Sequence, residues 1–214
     1  FGKKIILNDV SLNIEKGQIY GMIGPSGAGK TTLVKMIVGM ENADKGSIEV
    51  LDHKMPNLSV LQNMGYMAQS DALYADLTGE ENLRFFASLF NLSHSKQKER
   101  IEYTAKLVNL ADELHKKVAA YSGGMKRRLS LAAALIQDPA ILILDEPTVG
   151  IDPELRLSIW NELYRLKIEE NKTIIVTTHV MDEAEKCDCL SMVRDGIILT
   201  SGTPNELMSL YQVS

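Results

Sequence analysis

Two cysteines, one tryptophan and no surplus of positive charge mark this 214-residue chain, in which 23 Lys and Arg stand against 28 Asp and Glu for a net charge of −5. Each shortage removes a class. Cys187 and Cys189 cannot frame a disulfide-rich fold, and cysteines one residue apart seldom pair with each other. Half of a metal site would need two more ligands, and nothing nearby in sequence offers them. They read as two small apolar residues entering a strand, where they would share a face. The acidic balance argues against a nucleic-acid binder, which normally carries a basic face. No apolar run approaches the ~20 residues that cross a bilayer, and no secretory signal is visible. If the protein works at a membrane, something else must span it. Repeats, low-complexity tracts and long linkers are missing as well.

What remains is enough for one sizeable core, since 45% of the residues are hydrophobic. Helix formers and β-branched residues are mixed throughout, so the expected class is α/β. The chain opens at Phe1, and its first residues read as part of a sheet whose first strand starts upstream. Residues 18–23 are a short apolar run bounded by glycine, as a buried strand requires. A helix should follow, with Leu33, Ile37 and Met40 on one face. Residues 46–51 alternate like an edge strand.

A break near Gln69 opens a helical stretch from about 70 to 138. Thr78 and Glu81 have capping-box spacing, with Leu83, Phe86 and Phe90 as the apolar stripe behind them. A second helix is expected over roughly 95–110. A third follows Ser122, with Leu129, Ala133 and Ile136 facing one way. Residues 141–144 and 173–178 then read as buried strands. Between them Asp152-Pro153 starts a helix bearing Leu155, Ile159, Leu163 and Leu166. Residues 190–199 read as a hairpin turning at Arg194-Asp195-Gly196. Thr203-Pro204-Asn205-Glu206 then opens a last helix.

The stretch Gly24-Pro25-Ser26-Gly27-Ala28-Gly29-Lys30-Thr31, with Thr32 beside it, fits G-x-x-x-x-G-K-[ST] between a strand and a helix. Glycines let the backbone curl until successive N–H groups face phosphate oxygens, and the helix adds its positive end. Lys30 can place a point charge on the β- and γ-phosphates, and Thr31 can offer a hydroxyl to Mg²⁺. Asp145 closes the 141–144 run, so its carboxylate emerges at the sheet edge beside that loop. This suits a Mg²⁺ ligand, direct or through water. Its neighbour Glu146 can orient an attacking water. Ser122, Gly123 and Gly124 lie at a helix start, where a hydroxyl and free N–H groups make an anion site, although Ser122 also caps its own helix. Asp152 is equally a cap. Lys126-Arg127-Arg128 reads as a solvated helix face rather than a lipid or partner patch.

With Tyr121-Ser122-Gly123-Gly124-Met125 ahead of Asp145-Glu146, the chain resembles the ATP-binding cassette ATPases, the motor subunits of membrane transporters. The resemblance covers residues 1 to about 210. It implies a P-loop NTPase core, a RecA-like mixed sheet flanked by helices, with an inserted helical subdomain and an antiparallel β portion near the N-terminus, all in one nucleotide-binding domain over 1–214. It implies ATP and Mg²⁺ as ligands. Glu146 would act on the water, while His179 and Gln69 would reach the γ-phosphate. Gln69 would also reach the metal alongside Thr31 and Asp145. Phe1 would stack on adenine. Ser122, Gly123, Gly124 and Met125 would address the γ-phosphate of a second subunit, and Asp152 would belong to the loop crossing that interface. A homodimer docked on a transmembrane permease, peripheral to the cytoplasmic face of the cell membrane, is the expected assembly.

Tyr121 and Met125 depart from the commoner leucine and glutamine of that signature but keep the serine and both glycines. Together with residues 148–153 and 177–185 they resemble the ABC-2-type exporter group. No catalytic residue separates this reading from an importer ATPase, which stays an alternative. A soluble cassette of DNA repair or translation lacks support, since neither an inserted coiled coil nor a second cassette is present. A phosphate-loop kinase would leave Ser122-Gly123-Gly124 and His179 without a role.

Overall fold

The computed structural model describes residues 5–70 and 72–211. Strand β1 (Ile19–Ile23) leads through the glycine-rich loop into α1 (Lys30–Ile37). A hairpin of β2 (Glu49–Val50) and β3 (His53–Lys54) follows, then the single-turn α2 (Leu58–Leu61) and β4 (Met64–Met67). Next come α3 (Gly79–Ser88), α4 (His94–Leu107) and α5 (Gly123–Ala134), with no strand of the main sheet between them. Then the chain alternates again through β5 (Ile141–Asp145), α6 (Pro153–Glu170), β6 (Thr173–Thr178), α7 (Met181–Ala184) and β7 (Cys189–Arg194). It closes with β8 (Ile197–Gly202) and α8 (Pro204–Tyr211).

The main sheet has the order β4-β5-β6-β1-β7-β8, parallel except for the β7–β8 hairpin. Its central strands are buried on both faces and alternate between two cores. Leu142, Leu144, Ile174 and Val176 join one core with Leu129, Leu131, Trp160 and Leu163 from α5 and α6. Ile141, Ile143 and Ile175 join the other, with Leu33, Val34 and Ile37 from α1. Strands held this firmly aim their carboxyl ends at one edge, where open α/β sheets bind ligands.

Helix caps fall where the composition requires them. The Thr78–Glu81 capping box is complete, with Glu81 N donating to Thr78 Oγ1 over 3.1 Å and Thr78 N to Glu81 Oε2 over 2.7 Å. Asp152 caps α6, Thr203 and Glu206 form a second box at α8, and the hairpin turns through Asp195 and Gly196 at φ 50 and 78.

Four expectations need correction. Helix α1 stops at Ile37 because Gly39 turns left-handed at φ 72, so Met40 lies beyond it and is exposed. The expected edge strand over 46–51 shrinks to Glu49–Val50, since Leu51 and Asp52 form the hairpin turn at φ 51 and 60. No strand forms over residues 5–18, so that described part of the opening segment lies outside the sheet, while the expected antiparallel β portion near the N-terminus is present as the β2–β3 hairpin. Cys187 precedes β7 and packs in the α6-side core, whereas Cys189 packs against the α1-side core, so the cysteines do not share a face.

Candidate functional site

The loop after β1 curls because Gly27 and Gly29 take φ 79 and 107, conformations that side chains resist. Gly29 sits at the N-cap of α1 with no side-chain cap, which leaves the first N–H groups of the helix for another acceptor. Gly24 is needed for another reason, because a Cβ there would lie 2.0 Å from the Val193 carbonyl oxygen of β7. Lys30 is buried and its ammonium donates to the carbonyls of Gly24 at 2.7 Å and Pro25 at 3.0 Å. Burial lowers its pKa, against the opposing pull of Glu146 and Asp145. A cation so placed gains from an anion entering the loop.

Asp145 ends β5 fully buried, opposite Thr177 of β6. It accepts hydrogen bonds from Thr31 Oγ1 at 2.8 Å and from the Thr177 hydroxyl. A hydroxyl beside a carboxylate oxygen is a hard-oxygen donor pair, the chemistry Mg²⁺ takes alongside water and phosphate oxygens. Glu146 follows at φ 53, a left-handed backbone for a residue with a side chain, which costs on the order of 1 kcal/mol. The conformation is held by its N–H, which donates to Thr177 Oγ1 at 3.0 Å and to the Thr177 carbonyl at 3.1 Å.

That turn aims the Glu146 carboxylate between two expected partners. Gln69 Nε2 donates to one of its oxygens at 3.3 Å, and His179 Nδ1 lies 3.2 Å from the other. Residues distant in sequence and expected at one centre are therefore joined. Ser122 and Gly123 are exposed at the start of α5. Ser122 Oγ accepts from Met125 N at 3.2 Å, so the capping role is realised. Among the described residues, Ser122, Gly123 and Gly124 make no hydrogen bond to the Gly24–Thr31 loop. Gly124 instead lies against the loop that leads to Asp152, where a Cβ would come 3.2 Å from Gly150 O. Asp152 is exposed and caps α6 through Leu155 N at 3.0 Å. Phe1 lies outside the described residues.

Two groups escaped the sequence reading. Arg127 is not on a solvated face: it is buried, and its guanidinium donates to the carbonyls of Ala68, Gln69, Asp145 and Glu146. Its spacing of four from Leu131, a fully buried residue, was the available signal. Glu183 is the other. Buried in α7 four residues after His179, it accepts from Thr178 Oγ1 at 2.6 Å and from the Thr148 hydroxyl. Threonines inside otherwise apolar buried strands, Thr177 and Thr178, were the hint that carboxylates lay close by.

The family model for ABC transporters matches residues 7–149. A Nod factor export ATP-binding protein I of Burkholderia lata is 42% identical over 215 residues, covering 97% of this chain and 69% of the relative. A linearmycin resistance ATP-binding protein of Bacillus subtilis is 38% identical over 212 residues, covering 98% and 68%. Among solved structures, a dimeric ATP-binding cassette in a post-hydrolysis state with ADP and Pi superposes with a TM-score of 0.89 at 26% identity, covering 95% of this chain and 94% of that one. Phosphate loop, buried acidic strand end and family match agree, and the chain belongs to the ABC transporter family as an ATP-hydrolysing subunit.

Proposed function

We propose that this cassette dimerises around two Mg-ATP molecules and drives a separate membrane-spanning permease, in the export direction. The single observation that carries the catalytic reading is the Glu146 carboxylate held between Gln69 and His179, next to Asp145. In this reading the curled N–H groups of residues 24–31 and the Lys30 ammonium bind the phosphates, with Thr32 beside them. Thr31 and Asp145 hold Mg²⁺, directly or through water, with Gln69 near it, and the metal supplies charge neutralisation at the phosphate oxygens. Glu146 orients and polarises the attacking water. His179 steadies that carboxylate and reports the γ-phosphate, as does Gln69. Catalysis is then mostly positioning and charge stabilisation.

The start of α5, Ser122 to Met125, of which Ser122 and Gly123 are exposed, completes the site of a second copy, with Asp152 at the same interface. Support comes from its lack of hydrogen bonds to its own phosphate loop and from the dimeric cassette of the same fold. Relatives named for export and for antibiotic resistance support the exporter direction. In this reading the permease is a separate chain at whose cytoplasmic face the cassette sits; no helix among the described residues is long and apolar enough to cross a membrane. Its dock is a mostly apolar groove of about 510 Å³ beside the Gln69 segment, lined in part by Tyr66, Leu73, Phe86, Leu89 and Phe90.

Glu146→Gln tests the reading. The variant should bind ATP with affinity near wild type, lose turnover by about 100-fold or more, and run as an ATP-dependent dimer on size exclusion. Turnover within a few-fold of wild type would remove Glu146 from the proposed role.

A further inference from the structure

We infer that Arg127 is a positioning residue that ties the helix facing the partner's nucleotide to the two groups that face the chain's own. The inference rests on the assignment of Glu146, Gln69 and Ser122 above. Helix α5 begins at the Ser122 cap, and Arg127 lies five residues on, about 7.5 Å along the axis. Its side chain leaves the helix on the buried face. One nitrogen, Nη1, donates to Ala68 O at 2.8 Å and Gln69 O at 2.9 Å, in the segment after β4. The other, Nη2, donates to the carbonyls of Asp145 and Glu146, the latter at 2.6 Å, at the end of β5.

The guanidinium is suited to this task because its planar fork presents several donors in fixed directions. A lysine can reach some of these carbonyls but cannot hold two pairs in one plane. Both pairs matter chemically. Gln69 and Glu146 are bonded side chain to side chain at 3.3 Å, and Arg127 fixes the backbone behind each of them. The left-handed backbone of Glu146 is strained, and such a conformation persists only where neighbours over-determine it. Thr177 holds its N–H and Arg127 its carbonyl. A displacement of α5 on engaging a phosphate at Ser122 is therefore passed through Arg127 to both side chains beside the proposed water.

The test uses the whole chain with ATP and Mg²⁺, and compares Arg127→Lys and Arg127→Met with Glu146→Gln. For Arg127→Met, kcat should fall about 10- to 100-fold, as a misplacement near 1 Å does. The Kd for a fluorescent ATP analogue should stay within about threefold, because the phosphate loop is untouched. Arg127→Lys should recover part of the lost kcat at the same Kd. If the methionine variant fails to fold, the lysine variant alone decides, still with reduced kcat at unchanged Kd. Wild-type kcat in Arg127→Lys, or losses of kcat and ATP affinity in equal proportion, would overturn the assignment. Glu146→Gln keeps the two readings apart: if it retains turnover the functional reading has failed, and if it alone is inactive the failure belongs to Arg127.

Discussion

Glu183 illustrates how a single buried charge organises two loops. It is 2% exposed, accepts from the Thr148 and Thr178 hydroxyls, and lies 3.9 Å from Arg156 Nε. Thr178 precedes His179, and Thr148 stands in the segment leading to Asp152, so one carboxylate spaces the histidine from the proposed interface loop. Removing it strands two buried hydroxyls and takes away the ion-pair partner of the half-buried Arg156. Glu183→Ala should lower unfolding free energy by about 2–4 kcal/mol, read from urea denaturation. The exposed neighbour Glu185 is the control, since Glu185→Ala should change stability by no more than about 0.5 kcal/mol. Equal effects would mean that the buried network carries no stability. Residues of this kind were poorly legible beforehand. Lys30, Thr31, Asp145 and Glu146 could be found because their chemistry is tied to a local pattern of spacing. Arg127 and Glu183 act through partners 18 to 59 and 5 to 35 positions away, which no local spacing encodes.

At the scale of elements, legibility followed the strength of local signals. Capping boxes at Thr78 and Thr203 and the proline start of α6 lie in place because each box is satisfied within four residues. Ends set by a left-handed residue, as after α1, were missed by the apolar spacing alone. Two glycines, one in β4 and one in α5, show how differently the two ends of α5 are packed. A Cβ on Gly65 of β4 would lie 2.0 Å from Ala134 O and 2.8 Å from Pro139 Cγ, so the strand meets the end of α5 backbone to backbone. At the other end of that helix, a Cβ on Gly123 meets nothing within 4 Å. Gly65→Ala should therefore destabilise the fold by about 1–3 kcal/mol, as overpacking does, and displace α5 with its Ser122 and Arg127. Gly123→Ala should leave the melting temperature near wild type and ATP binding intact, yet reduce turnover, because in the proposed dimer its methyl group would meet the phosphate bound by the partner. Thermal melts paired with steady-state ATPase assays separate the two. A Gly123→Ala enzyme with full turnover would mean that no phosphate approaches this helix end.

For the whole molecule, the sheet order β4-β5-β6-β1-β7-β8 gathers residues 24–31, 69, 145–146 and 179 at one edge, an assembly that follows from parallel strands sharing a direction. The start of α5 is the exception, exposed and without a hydrogen bond to that loop. Strand periodicity identifies which residues are inside but carries no information about a surface completed by a second copy. In a two-fold dimer each nucleotide would touch the phosphate loop of one chain and the Ser122 segment of the other. Two inactive variants can then repair each other. Lys30→Ala should abolish binding at its own loop, and Ser122→Arg should block the site it lends to its partner. Mixed in equal amounts, half of the pairs are heterodimers, and each has one composite site free of both changes, giving about a quarter of wild-type sites. ATPase activity of the mixture should rise well above that of either variant alone, and rise with total protein concentration. A mixture no more active than the mean of its parts would place Ser122 and Lys30 at the same nucleotide in one chain, and the proposed trans arrangement would fall.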